Sequence, residues 1–350
     1  MNQKVKNLFA EQFNDWELAR NNYNALSGVR VKELNVAGIP YKVQFNPARI
    51  VSSGAKVDSK SIKERKCFLC PANLPKEQKG IPFLRHYQIL INPFPIFPRH
   101  LTIPELEHAE QRIETRFGDM LELAKDLPEY VIFYNGPKCG ASAPDHAHFQ
   151  AGNKGFMPIE QTWRQTIAGR ILDYGEATLW YLKDAPRNTL IIEATEKEDA
   201  EKLFKNLYAC LTPLGRSCSE ENSCLEKEEK MNGEEPMMNV LAWYENKRTN
   251  NSKEVKGFEK GTGCTEVTEA TWVICVFPRE KHRPACYTAE GDANLLSSPA
   301  SVDLGGVFIL PVEKDFLKIG APDIEQILTE VCLSEEKFNL LRRRIKENIA

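Results

Sequence analysis

The sequence lacks two features that would direct a protein to a membrane or to nucleic acid. None of its apolar runs approaches the roughly 20 residues that cross a bilayer as a helix. The formal net charge is only -3, so no global field attracts nucleic acid or an anionic membrane. The N-terminal segment is amphipathic and carries acidic residues throughout, unlike an export signal. We therefore expect a cytoplasmic protein that binds neither a membrane nor nucleic acid.

Histidine is scarce, with six residues among 350, yet two of the six stand close together. The stretch PDHAHFQAG places His146, His148 and Gln150 at alternate positions. In a β-strand, alternate side chains leave the same face of a sheet. The spacing therefore predicts one sheet face that carries two imidazoles and an amide and needs them for chemistry.

Cysteine, in contrast, is frequent, with ten residues and no export signal that would favour disulfides. Reduced thiols in close spacing are better examined as metal ligands. Cys67 and Cys70 form a CxxC pair in RKCFLCPANLP, and this spacing lets two thiolates reach one tetrahedral Zn²⁺. Taken alone, such a pair is equally typical of two half-buried cysteines in a turn.

Two histidines in supporting positions favour the metal interpretation. His100 in FPRHLTIPEL and His146 would complete a Cys2His2 set with the two cysteines. Four protein ligands leave no open coordination position, so the predicted Zn²⁺ is structural and fixes the histidine strand. His86 and His108 are alternatives to His100, although each is also typical of an ordinary, partly exposed histidine.

Signals for short strands and for helices alternate along the chain. Residues 107–127 and 197–214 have helical spacing, whereas YQILIN, HLTIP and YVIFYNG are short apolar runs that predict strands. After residue 155 the same theme repeats more loosely. The order predicts an α+β fold with antiparallel sheets, flanking helices and two related halves, residues 1–155 and 156–350.

His148 remains for a reaction if His146 is tied to the metal. A hydrogen bond from its Nδ1 to a nearby backbone carbonyl would fix the tautomer and leave Nε2 as a nucleophile. Gly140 and Ser142 precede it in a turn where backbone N–H groups and a hydroxyl can gather an anion. Gln150 can donate to a phosphoryl oxygen. A phosphate leaving group, whose second pKa is about 6, departs without prior protonation, so these residues together suit attack on phosphorus.

The stretch NGPKCGASAPDHAHFQ resembles the HxHxQ signature of the histidine-triad (HIT) superfamily, in its transferase branch. That branch contains galactose-1-phosphate uridylyltransferases, diadenosine tetraphosphate phosphorylases and GDP-hexose phosphorylases. CFLCPANLP followed by PRHLTIPEL is similar to the zinc site of the uridylyltransferases. ATWVICVFPREKHRPACY is similar to the C-terminal half of the GDP-hexose phosphorylases, and the resemblance extends over residues from about 60 to 345.

The resemblance implies a nucleotidyltransferase with a HIT-like fold. It implies that His148 forms a covalent nucleotidyl intermediate, that Gln150 stands in place of a third histidine, and that Gly140 and Ser142 match the upstream motif residues. The NMP group would pass from a nucleotide sugar or dinucleotide to a phosphate or sugar 1-phosphate. The alternatives are a GDP-hexose or diadenosine tetraphosphate phosphorylase and a non-catalytic, zinc-stabilised nucleotide-binding protein. Because the second half contains no HxH, we expect one catalytic site per chain, in a monomer or homodimer.

Four further residues are candidates for contacts with the nucleotide or its phosphates. Arg279 and Lys281 belong to the basic cluster REKHR, which follows a strong strand and could reach the donor phosphates. The same cluster is also typical of a solvated basic turn. Asn92 in INPFP and Asn135 in YNGP could hydrogen-bond ribose or phosphate, although asparagine at a strand end is commonly a turn former.

Overall fold

A computed structural model of the protein describes residues 1–50, 57–212, 234–248 and 268–349. The described residues form both strands and helices. In chain order the strands are β1 (Arg30–Val36), β2 (Ile39–Phe45), β3 (Gly80–Phe83), β4 (Tyr87–Ile91), β5 (His100–Pro104), β6 (Tyr130–Asn135), β7 (His148–Asn153), β8 (Ile167–Tyr174), β9 (Ala177–Leu182), β10 (Leu190–Ala194), β11 (Met238–Arg248), β12 (Thr268–Pro278) and β13 (Val307–Leu310).

Ten of these strands form one sheet in the spatial order β3-β4-β5-β7-β6-β11-β12-β10-β9-β8, and all neighbouring pairs run antiparallel. The remaining strands form a small sheet in the order β1-β2-β13, where β13 runs parallel to β2. In the large sheet, pairing of β6 with β11 joins the strands before residue 155 to those after it. The division of the chain into two related halves stays a prediction.

Helices cover both faces of the large sheet, with two short 3₁₀ turns, Pro47–Arg49 and Pro71–Asn73, beside the site described below. In chain order the described α-helices are α1 (Asn2–Asp15), α2 (Glu17–Ala25), α3 (Ser59–Glu64), α4 (Phe117–Asp126), α5 (Ile159–Thr162), α6 (Lys197–Leu211), α7 (Ser301–Leu304), α8 (Glu313–Lys318), α9 (Ala321–Val331) and α10 (Glu335–Ile349). The prediction of an α+β fold with antiparallel sheets and flanking helices is confirmed, apart from the single parallel pair.

Two apolar cores lie on opposite faces of the large sheet. Successive residues of β11 alternate between them, since Val240 and Ala242 belong to one core and Leu241 and Trp243 to the other. The first core contains apolar residues of α1, α2, α4, α6 and α10. The second contains residues of the small sheet and of α9. Coverage of both faces explains why strands such as ATWVICVFP are continuously apolar in sequence.

The helix predicted over residues 107–127 is shorter in the structure. Only Phe117–Asp126 is α-helical, preceded by the 3₁₀ turn Glu114–Arg116, and residues 108–113 form an irregular connection. This connection packs beside the turn before β7. There the N–H of Ala147 donates to the carbonyl of Ala109 at 2.6 Å. A helix there would use its backbone groups internally, so tertiary hydrogen bonds override the helical spacing.

The histidine strand also begins later than its spacing predicts. His148 is the first residue of β7, and His146 lies in the bend before it. His148 and Gln150 therefore share a sheet face, whereas His146 is directed by the turn. Among the residues described, no helix combines the length and apolar character needed to span a membrane.

Candidate active site

The candidate active site is a cavity on one face of β7. Register pairs Gln150 with Thr102 of β5 and with Phe133 of β6. A cavity of about 650 Å³ lies over this face, and its lining includes His148, Gln150 and Ser142. The structure thus brings together the three residues that the sequence predicts as catalytic.

His148 is buried at the wall of this cavity, with 5% of its surface exposed. Its Nδ1–H donates to the carbonyl oxygen of His146 at 2.8 Å, the backbone hydrogen bond predicted from the spacing. Burial lowers the pKa of His148 to about 4, although that hydrogen bond opposes the shift. The imidazole is therefore neutral at physiological pH, with its proton on Nδ1 and a lone pair on Nε2.

Gln111 fixes the backbone of His148 and was not predicted from the sequence. Its Oε1 accepts from the backbone N–H of His148 at 2.8 Å, and its Nε2 donates to the carbonyl of His148 at 3.0 Å. The same Nε2 donates to the carbonyl of Asn135 at 3.1 Å. Gln111 belongs to the connection that sequence spacing assigned to a helix, so no local signal pointed to this role.

His100 orients Gln150 and is not in the cysteine cluster, which corrects the predicted metal set. The backbone N–H of Ile96 donates to Nδ1 of His100 at 3.2 Å, so the ring proton lies on Nε2. That Nε2 lies 3.0 Å from Oε1 of Gln150 and donates to it. Burial, followed by the nearby charge of Arg49, lowers the pKa of His100 to about 3. With its oxygen held by a neutral His100, the Gln150 side chain retains its two N–H groups for the cavity.

The remaining predicted donors surround the same end of the cavity. Gly140 has φ +90°, and a Cβ atom there would lie 2.6 Å from Cβ of Ala300, so only glycine fits. Oδ1 of Asn135 accepts from the Asn239 side chain at 2.9 Å and from the backbone N–H of Ser301 at 2.8 Å. This arrangement directs its Nδ2 donor to the cavity, where Gly140, Ser142 and Asn135 are lining residues.

Asn92 lines the cavity, and it also forms a turn, the alternative role expected for an asparagine at a strand end. Its Oδ1 accepts from the backbone N–H of Phe94 at 2.9 Å, and its Nδ2 donates to Oγ1 of Thr102 at 2.9 Å. One N–H of the amide is left for a ligand. Asn92 therefore shapes the connection between β4 and β5 at the cavity wall.

A second cluster of side chains lies next to the reaction site and could hold a metal ion. Cys67, Cys70, His108 and His146 place their ligand atoms within 4.8 Å of one another. Nδ1 of His146 lies 3.3 Å from Sγ of Cys67 and 3.6 Å from Sγ of Cys70. Nδ1 of His108 lies 3.3 Å from Sγ of Cys70.

Three sulfur to nitrogen distances in this cluster fit the edges of a tetrahedral zinc site. With Zn–S bonds of about 2.3 Å and Zn–N bonds of about 2.0 Å, the S···N edge of a tetrahedron is about 3.5 Å. The observed separations of 3.3 to 3.6 Å match that edge. The fourth residue of the cluster is His108 rather than His100, because the irregular connection after β5 carries His108 back to the cysteines.

The outer contacts of the cluster also suit a metal. Nε2–H of His146 donates to the carbonyl of Glu105 at 2.8 Å, so its Nδ1 faces the sulfurs of Cys67 and Cys70. Nε2 of His108 lies 4.0 Å from the Asp145 carboxylate. Burial opposes ionisation of Cys67, but hydrogen bonds from His146 and from the backbone of Leu69 and Cys70 lower its pKa to about 6. The cluster thus provides the thiolate that metal binding requires.

Arg279 cannot hold donor phosphates as predicted, because the protein already uses all its N–H groups. It is 4% exposed, and its nitrogens donate to Asn239 and to four backbone carbonyls, those of Lys281, His282, Pro299 and Val331. Lys281 points elsewhere, since its Nζ pairs with Glu330 at 3.2 Å and it is not among the cavity lining. Arg279 instead anchors the segment that carries His282, Arg283 and Ser298 to the cavity wall.

The cavity lining also includes apolar residues. They come from the N-terminal helical segment, from the cysteine loop, from β4 and from the connection after it, and they include Trp16, Leu18, Phe68, Leu69, Leu74, Pro75, Leu90 and Phe94. Such residues, together with the hydrogen-bond donors described above, suit a ligand that has both a flat base and an anion.

Part of the chain matches a family of undetermined role. Residues 8–153 match a family model described as Domain of unknown function (DUF4922). No curated protein matches the chain. Among solved structures, yeast Ap4A phosphorylase Apa2 is similar at 16% sequence identity and a TM-score of 0.52, over 91% of this chain and 94% of the yeast chain.

Two complexes of that yeast protein give slightly lower scores. The complex with AMP has a TM-score of 0.49 and 16% identity, and covers 93% of this chain and 97% of its own. The complex with Ap4A has the same score and identity over 92% and 98%. The similarity to the first of these yeast structures, at a TM-score of 0.52, shows the fold. The chain therefore has a fold like that of yeast Ap4A phosphorylase, a HIT-like fold as the sequence resemblance predicts.

Proposed function

We propose that the protein is a nucleotidyltransferase that moves an NMP group through a covalent intermediate on His148. One observation carries this proposal. A buried, neutral imidazole whose tautomer is fixed at Nδ1 lies at the wall of a cavity that also contains the Gln150 amide and Ser142. A lone pair beside hydrogen-bond donors is the arrangement needed to attack phosphorus and to stabilise the charge on its oxygens.

The proposed reaction has two displacements at the same phosphorus. In the first, Nε2 of His148 forms a bond to the α-phosphorus, and the bond from that phosphorus to the leaving oxygen breaks. The electron pair departs on the leaving phosphate, which needs no proton from Gln150. In the second, an oxygen of the acceptor phosphate attacks the phosphorus and the bond to Nε2 breaks, which restores the neutral imidazole. Gln150 N–H, Ser142 Oγ and the backbone at Gly140 would contact the phosphoryl oxygens in both steps.

We propose that Cys67, Cys70, His108 and His146 hold a structural Zn²⁺. Four protein ligands would close the coordination sphere, so the ion contributes stability and no chemistry with substrate. It would fix the bend that contains His146, whose carbonyl accepts the proton of His148 Nδ1. The support is the match of the sulfur to nitrogen distances to a tetrahedron.

We propose different roles for residues 1–155 and residues 156–350. Residues 1–155 carry the nucleophile, Gln150 and the proposed zinc ligands, whereas residues 156–350 contribute a cavity wall that includes His282, Arg283 and Asp303. We propose that the first part performs the transfer and that the second completes the binding site. Whether the protein acts as a monomer or a homodimer stays a prediction, as does its cytoplasmic location.

The proposed donors are nucleotide sugars and dinucleotides, and the proposed acceptors are phosphate and sugar 1-phosphates. The apolar lining residues, which include Phe68, Leu74 and Phe94, would receive the base. A phosphorylase that uses inorganic phosphate as acceptor is the second candidate, which the fold shared with yeast Ap4A phosphorylase favours. Both candidates need the same intermediate and differ only in the acceptor.

The test is a matrix of donors and acceptors read by mass spectrometry. UDP, GDP and ADP sugars and dinucleoside polyphosphates would each be incubated with inorganic phosphate, with hexose 1-phosphates and without acceptor. A transferase produces a new nucleotide sugar, whereas a phosphorylase produces a nucleoside diphosphate. Tight binding of nucleotides with no product in any well would instead support a non-catalytic, zinc-stabilised nucleotide-binding protein.

A further inference from the structure

Asn239 lies in the second part of the chain, yet its side chain contacts residues of the reaction site. It is fully buried on β11, directly opposite Asn135 of β6 in the register of the large sheet. Its Nδ2 group donates to Oδ1 of Asn135 at 2.9 Å and to the carbonyl of Cys139 at 2.7 Å. One amide therefore holds both a residue that lines the cavity and the start of the turn that contains Gly140 and Ser142.

Arg279 determines which way the amide of Asn239 faces. Its Nη1 donates to Oδ1 of Asn239 at 2.6 Å and to the carbonyl of Pro299 at 3.0 Å. A guanidinium only donates hydrogen bonds, so the Asn239 atom that faces it is the oxygen. The NH2 group is then directed to Asn135 and Cys139. Arg279, Asn239 and Asn135 thus form a hydrogen-bond relay that ends at the cavity.

Ser301 fixes the last member of this relay from another side. Its backbone N–H donates to Oδ1 of Asn135 at 2.8 Å, and its hydroxyl oxygen lies 2.7 Å from the same atom. A backbone N–H only donates, so the Asn135 atom between Ser301 and Asn239 is the oxygen. With its oxygen surrounded by donors, Asn135 presents its NH2 group to the cavity. The orientation of this donor therefore depends on three residues of the second part, Arg279, Asn239 and Ser301.

We propose that Asn239 is a positioning residue for nucleotide binding and transfer, and that it acts through Asn135. The inference rests on the proposed function and deepens it, because it gives a role at the reaction site to a second part that contains no HxH motif. A donor that is already oriented stabilises charge on phosphoryl oxygens without reorganisation during the reaction. The relay provides that orientation from buried residues that do not contact the nucleotide themselves.

The test replaces Asn239 with aspartate, which has the same shape. Asn239→Asp keeps an oxygen for Arg279 but has no N–H for Asn135 or Cys139. Its carboxylate would face two other oxygens, so the Asn135 amide should lose its fixed orientation.

Two measurements are made on the full-length protein. The first is calorimetric binding of AMP, GMP and UMP, which needs no turnover. The second is kcat and KM with the substrate pair that forms the most product in the matrix above. Asn239→Asp should weaken binding of the tightest of the three nucleotides about tenfold and lower kcat about tenfold or more, as expected when a cavity donor is misdirected.

A double-mutant cycle separates a role through Asn135 from a general loss of stability. Asn135→Ala alone removes the cavity donor and should weaken the same binding about tenfold or more. In the Asn135→Ala background, Asn239→Asp should add less than about threefold, because the side chain that it orients is absent. A merely structural role would give the same additional factor with and without Asn135.

Asn188→Asp is the matched control. Asn188 is also buried, its Nδ2 donates to the carbonyl of Leu333 at 2.8 Å, and it is not among the cavity lining. This variant loses a buried hydrogen bond of the same kind but should keep the nucleotide affinity and the kcat of wild type. Ser301→Ala is a milder change at the Asn135 oxygen, since it keeps the backbone N–H, and should weaken nucleotide binding by a smaller factor.

The inference is overturned if Asn239→Asp binds nucleotide and turns over like Asn188→Asp, or if its effects multiply fully with those of Asn135→Ala. If Asn239→Asp loses its zinc and its thermal transition, Ser301→Ala replaces it in the same cycle with the same criterion. Wild type that never carries a covalent NMP on His148 would contradict the proposed transfer. Coupled loss of nucleotide binding would still support this inference in that case, so the two failures are distinguishable.

Discussion

His146 and His148 are two residues apart, yet the protein gives their imidazoles opposite environments. Burial would favour the neutral form of His146, but hydrogen bonds to the Cys67 sulfur and to the Glu105 carbonyl outweigh it and raise its pKa. His148 has one such hydrogen bond, to the carbonyl of His146, but burial outweighs it and lowers the pKa of His148 to about 4. The first imidazole is surrounded by candidate metal ligands, whereas the second faces a cavity.

The difference arises from one bend in the backbone. His146 lies before β7 and turns toward the cysteines, whereas His148 begins the strand and faces the cavity with Gln150. A hydrogen bond from Nδ1 of His148 to the carbonyl of His146 links the two sites. Stabilising the first site therefore also fixes the tautomer of the second.

The largest expected effect comes from replacing His146 and His148 one at a time, because the two variants should lose different properties. His148→Asn should lose roughly 10⁴-fold or more of its turnover while it keeps its zinc and its thermal midpoint, because no neighbour supplies another nucleophile. His146→Asn should lose the metal and more than about 2 kcal/mol of stability, with activity falling as a consequence. Kinetics, metal analysis and thermal unfolding of both variants provide the comparison.

His86→Asn is the control for this pair, since His86 is an exposed histidine whose side chain is 51% accessible. It should resemble wild type in all three measurements. Equal losses of metal in the His146 and His148 variants would contradict the assignment of separate roles.

The second prediction distinguishes His108 from His100 as the fourth metal ligand. Wild type should contain about one zinc per chain, and His108→Asn should lose most of it, since a tetrahedral site needs all four ligands. His100→Asn should keep the zinc but slow turnover, because Gln150 loses the donor that orients its amide. The zinc content of the purified variants distinguishes the two ligand sets. A zinc-free His100→Asn protein would contradict the role of His108 and support the set predicted from sequence, which contains His100.

The third prediction concerns Gln111, which acts on the reaction site only through His148. Gln111→Ala should leave the buried N–H and carbonyl of His148 without partners, at a cost of about 1–3 kcal/mol in stability. It should lower kcat more than it raises KM, because the nucleophile rather than the substrate loses its position. Gln44→Ala removes another buried glutamine, outside the cavity lining, and should leave kcat near wild type.

The fourth prediction is a pH dependence of stability. His148 has a pKa of about 4 in the folded protein and an ordinary value of 6.5, so the unfolded chain binds more protons between these values. Its contribution is complete above about pH 6.5 and is lost as the pH falls toward 4, by up to about 3 kcal/mol. The free energy of unfolding of wild type minus that of His148→Asn should show this slope, and metal release, common to both proteins, cancels.

The proposed catalytic residues could be predicted from the sequence because His148 and Gln150 are spaced by two positions, the repeat of a β-strand. Alternation along one strand was sufficient to place His148 and Gln150 on one face, and the glycine at position 140 marked a turn that only glycine permits. The CxxC spacing likewise brought Cys67 and Cys70 to one point. Each of these signals comes from a few neighbouring residues, so it does not depend on the tertiary path of the chain.

The residues that were missed or misplaced depend on tertiary register. His100 and His108 are eight positions apart, and only the path of the chain after β5 shows which one returns to the cysteines. Arg279 had the charge of a phosphate ligand, but sequence does not reveal that four backbone carbonyls would use its guanidinium. Gln111 lies outside regular strands and helices, so no periodicity pointed to it.

The most direct measurement is the site of covalent labelling during turnover. Wild-type protein incubated with its donor and quenched in alkali should carry one NMP mass on the peptide that contains His148, because a phosphoramidate survives base and breaks down in acid. His148→Asn should carry none under the same conditions, and the kinetics of wild type should be ping-pong. Label on any other residue, or turnover at the wild-type rate in His148→Asn, would contradict the proposed mechanism.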